Sequence, residues 1–226
     1  MCNRDERRTR PAALAPRVHD LGGRRALFAC DPQGGGTWIG VNDVGLIVTL
    51  LNVLGPPRGQ QGHARRSRGL VVRELLQCVS LSQAMAAAAS LDPGAFEAFQ
   101  IAIVHRRTVA HATSDGVKWL TRTQWSLDEP CLFTSSSLGD ALAGPPRYRL
   151  FTRLVLRSRR GWLDGQARFH RHQWSRHPEI SVRMERSDAL TVSRTTVDVT
   201  EEAQRMLYEA PLDAEVPRAG EWCFLR

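Results

Sequence analysis

The sequence predicts an α+β fold, and three observations carry that expectation. Two β-rich apolar runs, Thr37–Val41 and Gly45–Asn52, flank a polar Asn42-Asp43 step, the pattern of a hairpin. A helical spacing of Leu70, Val71, Leu75, Leu76 and Val79 follows. The C-terminal third alternates apolar and polar residues, as antiparallel strands with one solvated face do. Strands and helices come in runs rather than in βαβ alternation, which favours α+β over α/β.

The elements can be read in order. Residues 11–37 are rich in Pro, Gly and basic side chains, with one short apolar run at Ala26–Ala29. The two hairpin runs are almost continuously apolar, which predicts a sheet buried on both faces. Residues 53–69 read as a loop of Gly, Pro, Gln, Arg and Ser. Helices are expected at about 67–77 and 81–90. Ser80 or Ser82 caps the second, the Ala86–Ala89 run favours it by propensity, and Asp92-Pro93-Gly94 stops it. Strands are expected at Gln100–His105 and Thr108–Ala112, joined by Arg106-Arg107, then at Val117–Thr121 and Cys131–Thr134. Leu150–Leu156 and Gly161–Gln173 fit either element. Further strands are expected around Ile180, Val182 and Met184, from Leu190 to Val199, and around Met206 and Tyr208. No repeat or composition break divides the chain, so one domain spanning 1–226 is expected.

Of 226 residues, 42% are hydrophobic and 24% charged, a globular balance that argues against wholesale disorder. No window approaches the ~18 uncharged apolar residues of a membrane-spanning helix. The opening MCNRDERRTRP is charged with no apolar run behind it, so no secretory leader is read and a cytoplasmic protein is expected. The net charge of +8 and pI of about 10.2 invite a nucleic-acid reading. Lys118 is the only lysine among 31 basic residues, which looks like coding bias. The clusters Arg7-Arg8, Arg65-Arg66 and Arg157–Arg160 are short, so no specific nucleic-acid partner is expected. Five cysteines at 2, 30, 78, 131 and 223 form no C-x-x-C pair and are expected as free thiols, the last four as small buried apolar residues.

The chemistry-bearing motifs are few. Gln33-Gly34-Gly35-Gly36-Thr37 precedes a strand and lacks a lysine, so it is no phosphate loop; a tight turn or a close backbone approach explains it. His170, His172 and His177 sit among Arg171 and Arg176. On a strand His170 and His172 would share a face, but the positive surroundings oppose a cation, so a solvated segment and no metal are expected. No G-x-S-x-G elbow exists, and Ser135-Ser136-Ser137 reads as turn material. Asn3-Arg4-Asp5-Glu6 crowds an amide, a guanidinium and two carboxylates into four positions. Taken alone, it is either an exposed polar terminus or a site.

Asn3-Arg4-Asp5-Glu6, Arg10-Pro11-Ala12, Gly34–Val41, Gly45, Leu50-Leu51-Asn52 and Ser67-Arg68-Gly69 occur in that order. This array resembles the NRDE-motif family, also called the transport-and-Golgi-organisation type 2 family. The likeness is dense over residues 3–75 and looser at Ser135–Gly139 and Ser193–Val197. The family is similar in pattern to N-terminal-nucleophile hydrolases of the choloylglycine and penicillin-acylase type. The resemblance therefore implies a four-layer αββα sandwich of two mainly antiparallel sheets. It implies catalytic or pocket roles for Asp5 (orienting the nucleophile), Asn52 (oxyanion amide) and Arg194, grouped in one cleft, with Asn3, Arg4 and Glu6 as binding residues. In such hydrolases an N-terminal Cys attacks an amide carbonyl, and its α-amine shuttles the proton. Here Met1-Cys2 abuts Asn3, and the hairpin expected between a leading Met-Cys and the motif is missing. Cys2 would serve only in a rearranged site. The chain is accordingly expected to be an N-terminally shortened, catalytically silent member, a binding or trafficking protein for a small metabolite, lipid or haem, with no resident cofactor. The alternative is an amide-bond hydrolase of the N-terminal-nucleophile type.

Overall fold

The computed structural model describes residues 1–55, 65–158, 161–210 and 220–225. Residues 56–64 of the expected 53–69 loop lie outside the described residues, as do Arg159 and Arg160 of the basic cluster. Among the described residues the protein is α+β, with two mainly antiparallel sheets of four and seven strands and four α-helices.

The larger sheet is a meander, in chain order, of β2 (Leu14–Asp20), β3 (Arg25–Cys30), β4 (Ile39–Asn42), β5 (Ile47–Asn52), β6 (Phe99–His105), β7 (Thr108–Ser114) and β8 (Trp119–Ser126). Each strand is antiparallel to the next. Helices α1 (Gly69–Leu75) and α2 (Leu81–Ser90) interrupt it between β5 and β6. The smaller sheet has the order β1-β9-β10-β11: Cys2–Arg7, Ala189–Val199, Gln204–Glu209 and Trp222–Leu225. Between β8 and β9 lie α3 (Asp140–Phe151), a π-helical continuation Thr152–Leu156, and α4 (Trp162–Arg171). The chain divides into two compact units. One comprises Met1–Arg10, Asp128–Thr196 and Leu207–Trp222; the other comprises Pro11–Leu127, Val197–Met206 and Cys223–Arg226.

In the second unit, strand periodicity decides what packs where. Ala26, Phe28, Val48, Leu50, Ile101, Ile103, Ala110 and Ala112 face Val71, Val72, Leu75, Leu76, Leu81, Ala84 and Ala88 of the two helices. The intervening residues Leu27 and Val41 face the other way, onto Met206 and Leu225 of β10 and β11. A sheet covered on both faces needs apolar side chains at odd and even positions, hence the continuous apolar runs. Each buried Leu-, Val- or Phe-sized side chain contributes about 1.5–3 kcal/mol.

Asn42 fixes the β4–β5 turn against the helices. Its Nδ2 donates to the carbonyls of Leu76 (2.9 Å) and Cys78 (2.8 Å), and its Oδ1 accepts from the amides of Leu46 (2.9 Å) and Val44 (3.2 Å). A fully buried amide is tolerated because its donors and acceptor are all paired.

The glycine stretch serves a turn and a close approach. Gly35 takes a left-handed φ of +65°, and Asp31 and Gly36 close the loop through Asp31 N to Gly36 O at 2.9 Å. The chain then passes α1 backbone against backbone. Thr37 N donates to Gly69 O at 3.1 Å, and a Cβ on Gly36 would stand 2.4 Å from the Gly69 carbonyl carbon. Thus the Gly34–Thr37 and Ser67–Gly69 motifs are two halves of one contact.

In the first unit, Leu150, Phe151, Val155, Phe169 and Val182 form a separate core. Buried Arg147 ties it to two loops. Its Nε donates to Ile180 O (3.0 Å), Nη1 to Thr134 Oγ1 (2.9 Å) and Ser135 O (2.8 Å), and Nη2 to Ser181 O (2.9 Å).

Several expectations hold. The hairpin, α1, α2, β6 and β7 lie where expected, and Ser80 caps α2 by accepting from Gln83 N. All five cysteines are free. Others are corrected. Cys131–Thr134 is no strand, and of the four cysteines expected to be buried only Cys78 is: Cys131 is exposed and Cys30 and Cys223 are half-buried. Residues 180–184 hold the end of a short 3₁₀ turn and bends, because Arg147 and Thr191 engage the local backbone that a ladder would need. Leu14–Asp20, within the stretch rich in Pro, Gly and basic side chains, is the edge strand β2; its side chains are mostly exposed, so no apolar pattern marks it. Leu150–Leu156 and Gly161–Gln173 resolve as helix. His170 therefore ends a helix, where positions two apart do not share a face.

Candidate functional site

The Asn3-Arg4-Asp5-Glu6 motif lies on β1, which pairs antiparallel with β9. Strand alternation puts Asn3 and Asp5 on one face, Cys2, Arg4 and Glu6 on the other. Cys2 opposes Thr195, Asn3 opposes Arg194 and Arg4 opposes Ser193; Asp5 then opposes Thr191, so Val192 is an extra residue in a bulge.

On the first face each side chain has protein partners. Asn3 Nδ2 donates to His170 O and Val182 O, both at 2.9 Å, and its Oδ1 meets His170 Nδ1 at 3.2 Å. It thereby ties β1 to the end of α4 and to the loop beyond it. Asp5 Oδ1 accepts from Thr191 Oγ1 at 2.5 Å, and Thr191 Oγ1 accepts in turn from Met184 N. Asp5 is exposed in surface area yet closely walled by protein. Crowding pushes its carboxyl up from the ordinary range, while Thr191, Arg147 and Arg186 oppose that push. Open water also screens the effect. Arg194 is buried and grips Glu209 through Nε (2.8 Å) and Nη2 (2.5 Å), so its carboxylate partner is Glu209 rather than Asp5.

On the opposite face, buried Arg4 pairs with Glu6 at 3.1 Å, and Glu6 also meets Arg10 at 3.4 Å. Ser193 and Thr195 stand beside Arg4 and Cys2, both fully buried. Among the described residues the Ser193 Oγ and Thr195 Oγ1 atoms have no hydrogen-bond partner. A buried hydroxyl without a partner costs about 1–3 kcal/mol, so such a pair is unusual within a protein core.

Asn52 ends β5 opposite Phe99 with an exposed side chain, and belongs to the other compact unit. The serine run is turn structure: Ser136 N donates to Asp140 Oδ1, and Ser137 Oγ accepts from Arg186. Sequence reasoning missed Arg147, Thr191 and Glu209. The visible hints were an arginine beside Pro145-Pro146 and a threonine and a glutamate set in alternating strands.

His170 is half-buried rather than solvated, packed edge-on against Phe169. Burial holds its imidazole well below the ordinary value near 6.5, and the Arg194 charge acts in the same direction. The folded protein keeps it neutral while the unfolded chain takes a proton below ~6.5. Stability is therefore complete above that value and falls as pH drops, by at most about 1.4 kcal/mol per pH unit. His19, His111 and His172 are lowered less and add the same sign. Urea melts between about pH 7 and pH 5 are expected to show a shallower pH slope in His170→Gln than in the wild type. Equal slopes would mean that His170 carries none of it.

Fold and site together define an α+β protein of two antiparallel sheets whose NRDE strand is an edge of the smaller one. A model of the Transport and Golgi organisation 2 family matches residues 1–142, and the chain belongs to that family. No curated protein matches it significantly.

Proposed function

We propose that this protein binds or carries a small ligand (a metabolite, lipid or haem, as the family resemblance suggests) and does not hydrolyse it. The observation that carries this reading is the engagement of the polar motif. Asn3, Asp5 and Arg194 are each held by protein partners. Cys2 lies on the face of β1 away from Asp5, so that carboxylate is poorly placed to orient the thiol. Ser193 and Thr195 supply two buried hydroxyls able to meet a polar group of the ligand. We also take the family domain as one, spanning 1–226, because three of the five unit boundaries fall within strands, β9, β10 and β11, rather than in linkers.

One observation favours the hydrolase reading: Cys2 opposes Thr195, so a thiol stands beside two donors for an oxyanion. Titration with haemin and with a fatty acid, alongside an amide-hydrolysis assay, separates the two. Carriage predicts binding weakened about tenfold in Thr195→Val, by loss of one buried hydrogen bond, and no amide turnover. Turnover abolished by Cys2→Ala would establish the hydrolase instead, and absence of binding to either probe would remove the support for these ligands.

A further inference from the structure

The α3–α4 region carries an exposed apolar and basic surface that the ligand site does not use. Helix α4 crosses the π-helical segment at Gly165, whose backbone lies directly on the Leu154 carbonyl. Within about one turn of that crossing, Trp162 is 51% exposed and Leu163 83% exposed. An 83% exposed leucine at the start of a helix contributes nothing to the core, which takes Phe169 and Gly165 from the same helix. Helical spacing puts Leu142, Arg149, Arg153 and Arg157 near one side of α3 and its continuation, all exposed, and Tyr148 is exposed beside them.

The charge of this region is one-sided. Residues 140–171 contain two aspartates and no glutamate or lysine, and among the described residues Arg149, Arg153, Arg157, Arg168 and Arg171 are exposed. Both aspartates are engaged: Asp140 accepts from Ser136 N, and Asp164 lies 4.0 Å from Arg168. Arg168 stands beside Asp164 and Arg171 lies 3.7 Å from Glu209, so Arg153 and Arg157 carry most of the uncompensated charge. Among the described residues no helix is long and apolar enough to cross a membrane.

We propose that this surface docks peripherally onto an anionic lipid bilayer. Trp162 and Leu163 enter the headgroup–acyl boundary, and the arginines around them meet lipid phosphates and carboxylates. Tryptophan favours the interface because its ring is apolar and its N–H polar. Apolar insertion combined with basic attraction is the usual means of reversible membrane docking. A nucleic acid would also attract the arginines and could stack on Trp162 or Tyr148, but it would leave Leu142 and Leu163 in water, which an acyl boundary would not. This inference is independent of what the Ser193–Thr195 face binds.

Co-sedimentation of the full chain with phosphatidylcholine vesicles, and with vesicles containing phosphatidylserine, tests it. Binding is expected to the anionic vesicles, weakened by high salt. It should fall roughly ten- to a hundredfold in the Trp162→Ser/Leu163→Ser variant. Both residues are exposed, so the variant should keep the wild-type thermal midpoint; Arg153→Gln/Arg168→Gln, which leaves the apolar pair intact, should also bind more weakly. Failure to bind either vesicle, equal binding by wild type and both variants, or binding of single-stranded RNA with none to vesicles would overturn the proposal.

Discussion

Gly36→Ala is expected to destabilise the protein by about 3 kcal/mol or more, although it adds only a methyl group. The added carbon would stand 2.4 Å from the Gly69 carbonyl carbon, 2.6 Å from its Cα and 2.8 Å from its oxygen. All three are backbone atoms, so no side chain can move aside. Relief would have to separate α1 from the entry into β4, breaking the Thr37–Gly69 hydrogen bond. The same separation would loosen Val71, Val72 and Leu75 from the larger core. Gly69→Ala approaches the same contact from the other side, with its Cβ 2.8 Å from Thr37 N. The two costs should therefore not add, because either change alone opens the one contact. Gly144→Ala is the control, since a Cβ there meets nothing within 4 Å. Urea unfolding of the two single variants, their double variant and the Gly144→Ala control checks this; a Gly36→Ala protein as stable as Gly144→Ala would mean the crossing can relax.

Arg147→Met is expected to cost about 3–5 kcal/mol, a large share of the ~5–15 kcal/mol that holds a typical domain together. Methionine keeps much of the stem volume but removes the guanidinium and with it all four hydrogen bonds. The carbonyls of Ser135, Ile180 and Ser181 and the Thr134 hydroxyl would then lose partners in a region where Arg147 itself is only 5% exposed. Arg147→Lys should recover little, because one ammonium cannot match a planar fork reaching two loops. The effect should also reach the NRDE strand. Arg147 lowers the Asp5 carboxyl from the value burial alone would give, so its loss should raise that pKa. Denaturation gives the first quantity and carboxyl titration by NMR the second. Loss of stability without a change at Asp5 would confine Arg147 to the two loops.

Local pattern was legible wherever it agreed with the tertiary environment. A strand covered on both faces must be apolar throughout, so β4 and β5 announced themselves, as did α1 and α2 through helical spacing and the Ser80 cap. The family was legible in the order of short motifs from Asn3 to Gly69. Where exposure or breakers erased the pattern, sequence was silent. Strand β2 is mostly exposed, and α3 contains Gly144, Pro145 and Pro146, residues that argue against a helix. The roles of the polar residues emerged from the folded chain, because each side chain's partner lies far along the sequence. Asn3 meets His170 and Val182, Asp5 meets Thr191, and Gly36 meets Gly69. Hydrogen bonds and van der Waals contacts act over a few ångströms of space, whatever the distance in sequence. The alternation that parts Cys2 from Asp5 follows from the strand's twofold period, and it became a statement about function once β1 was seen paired to β9.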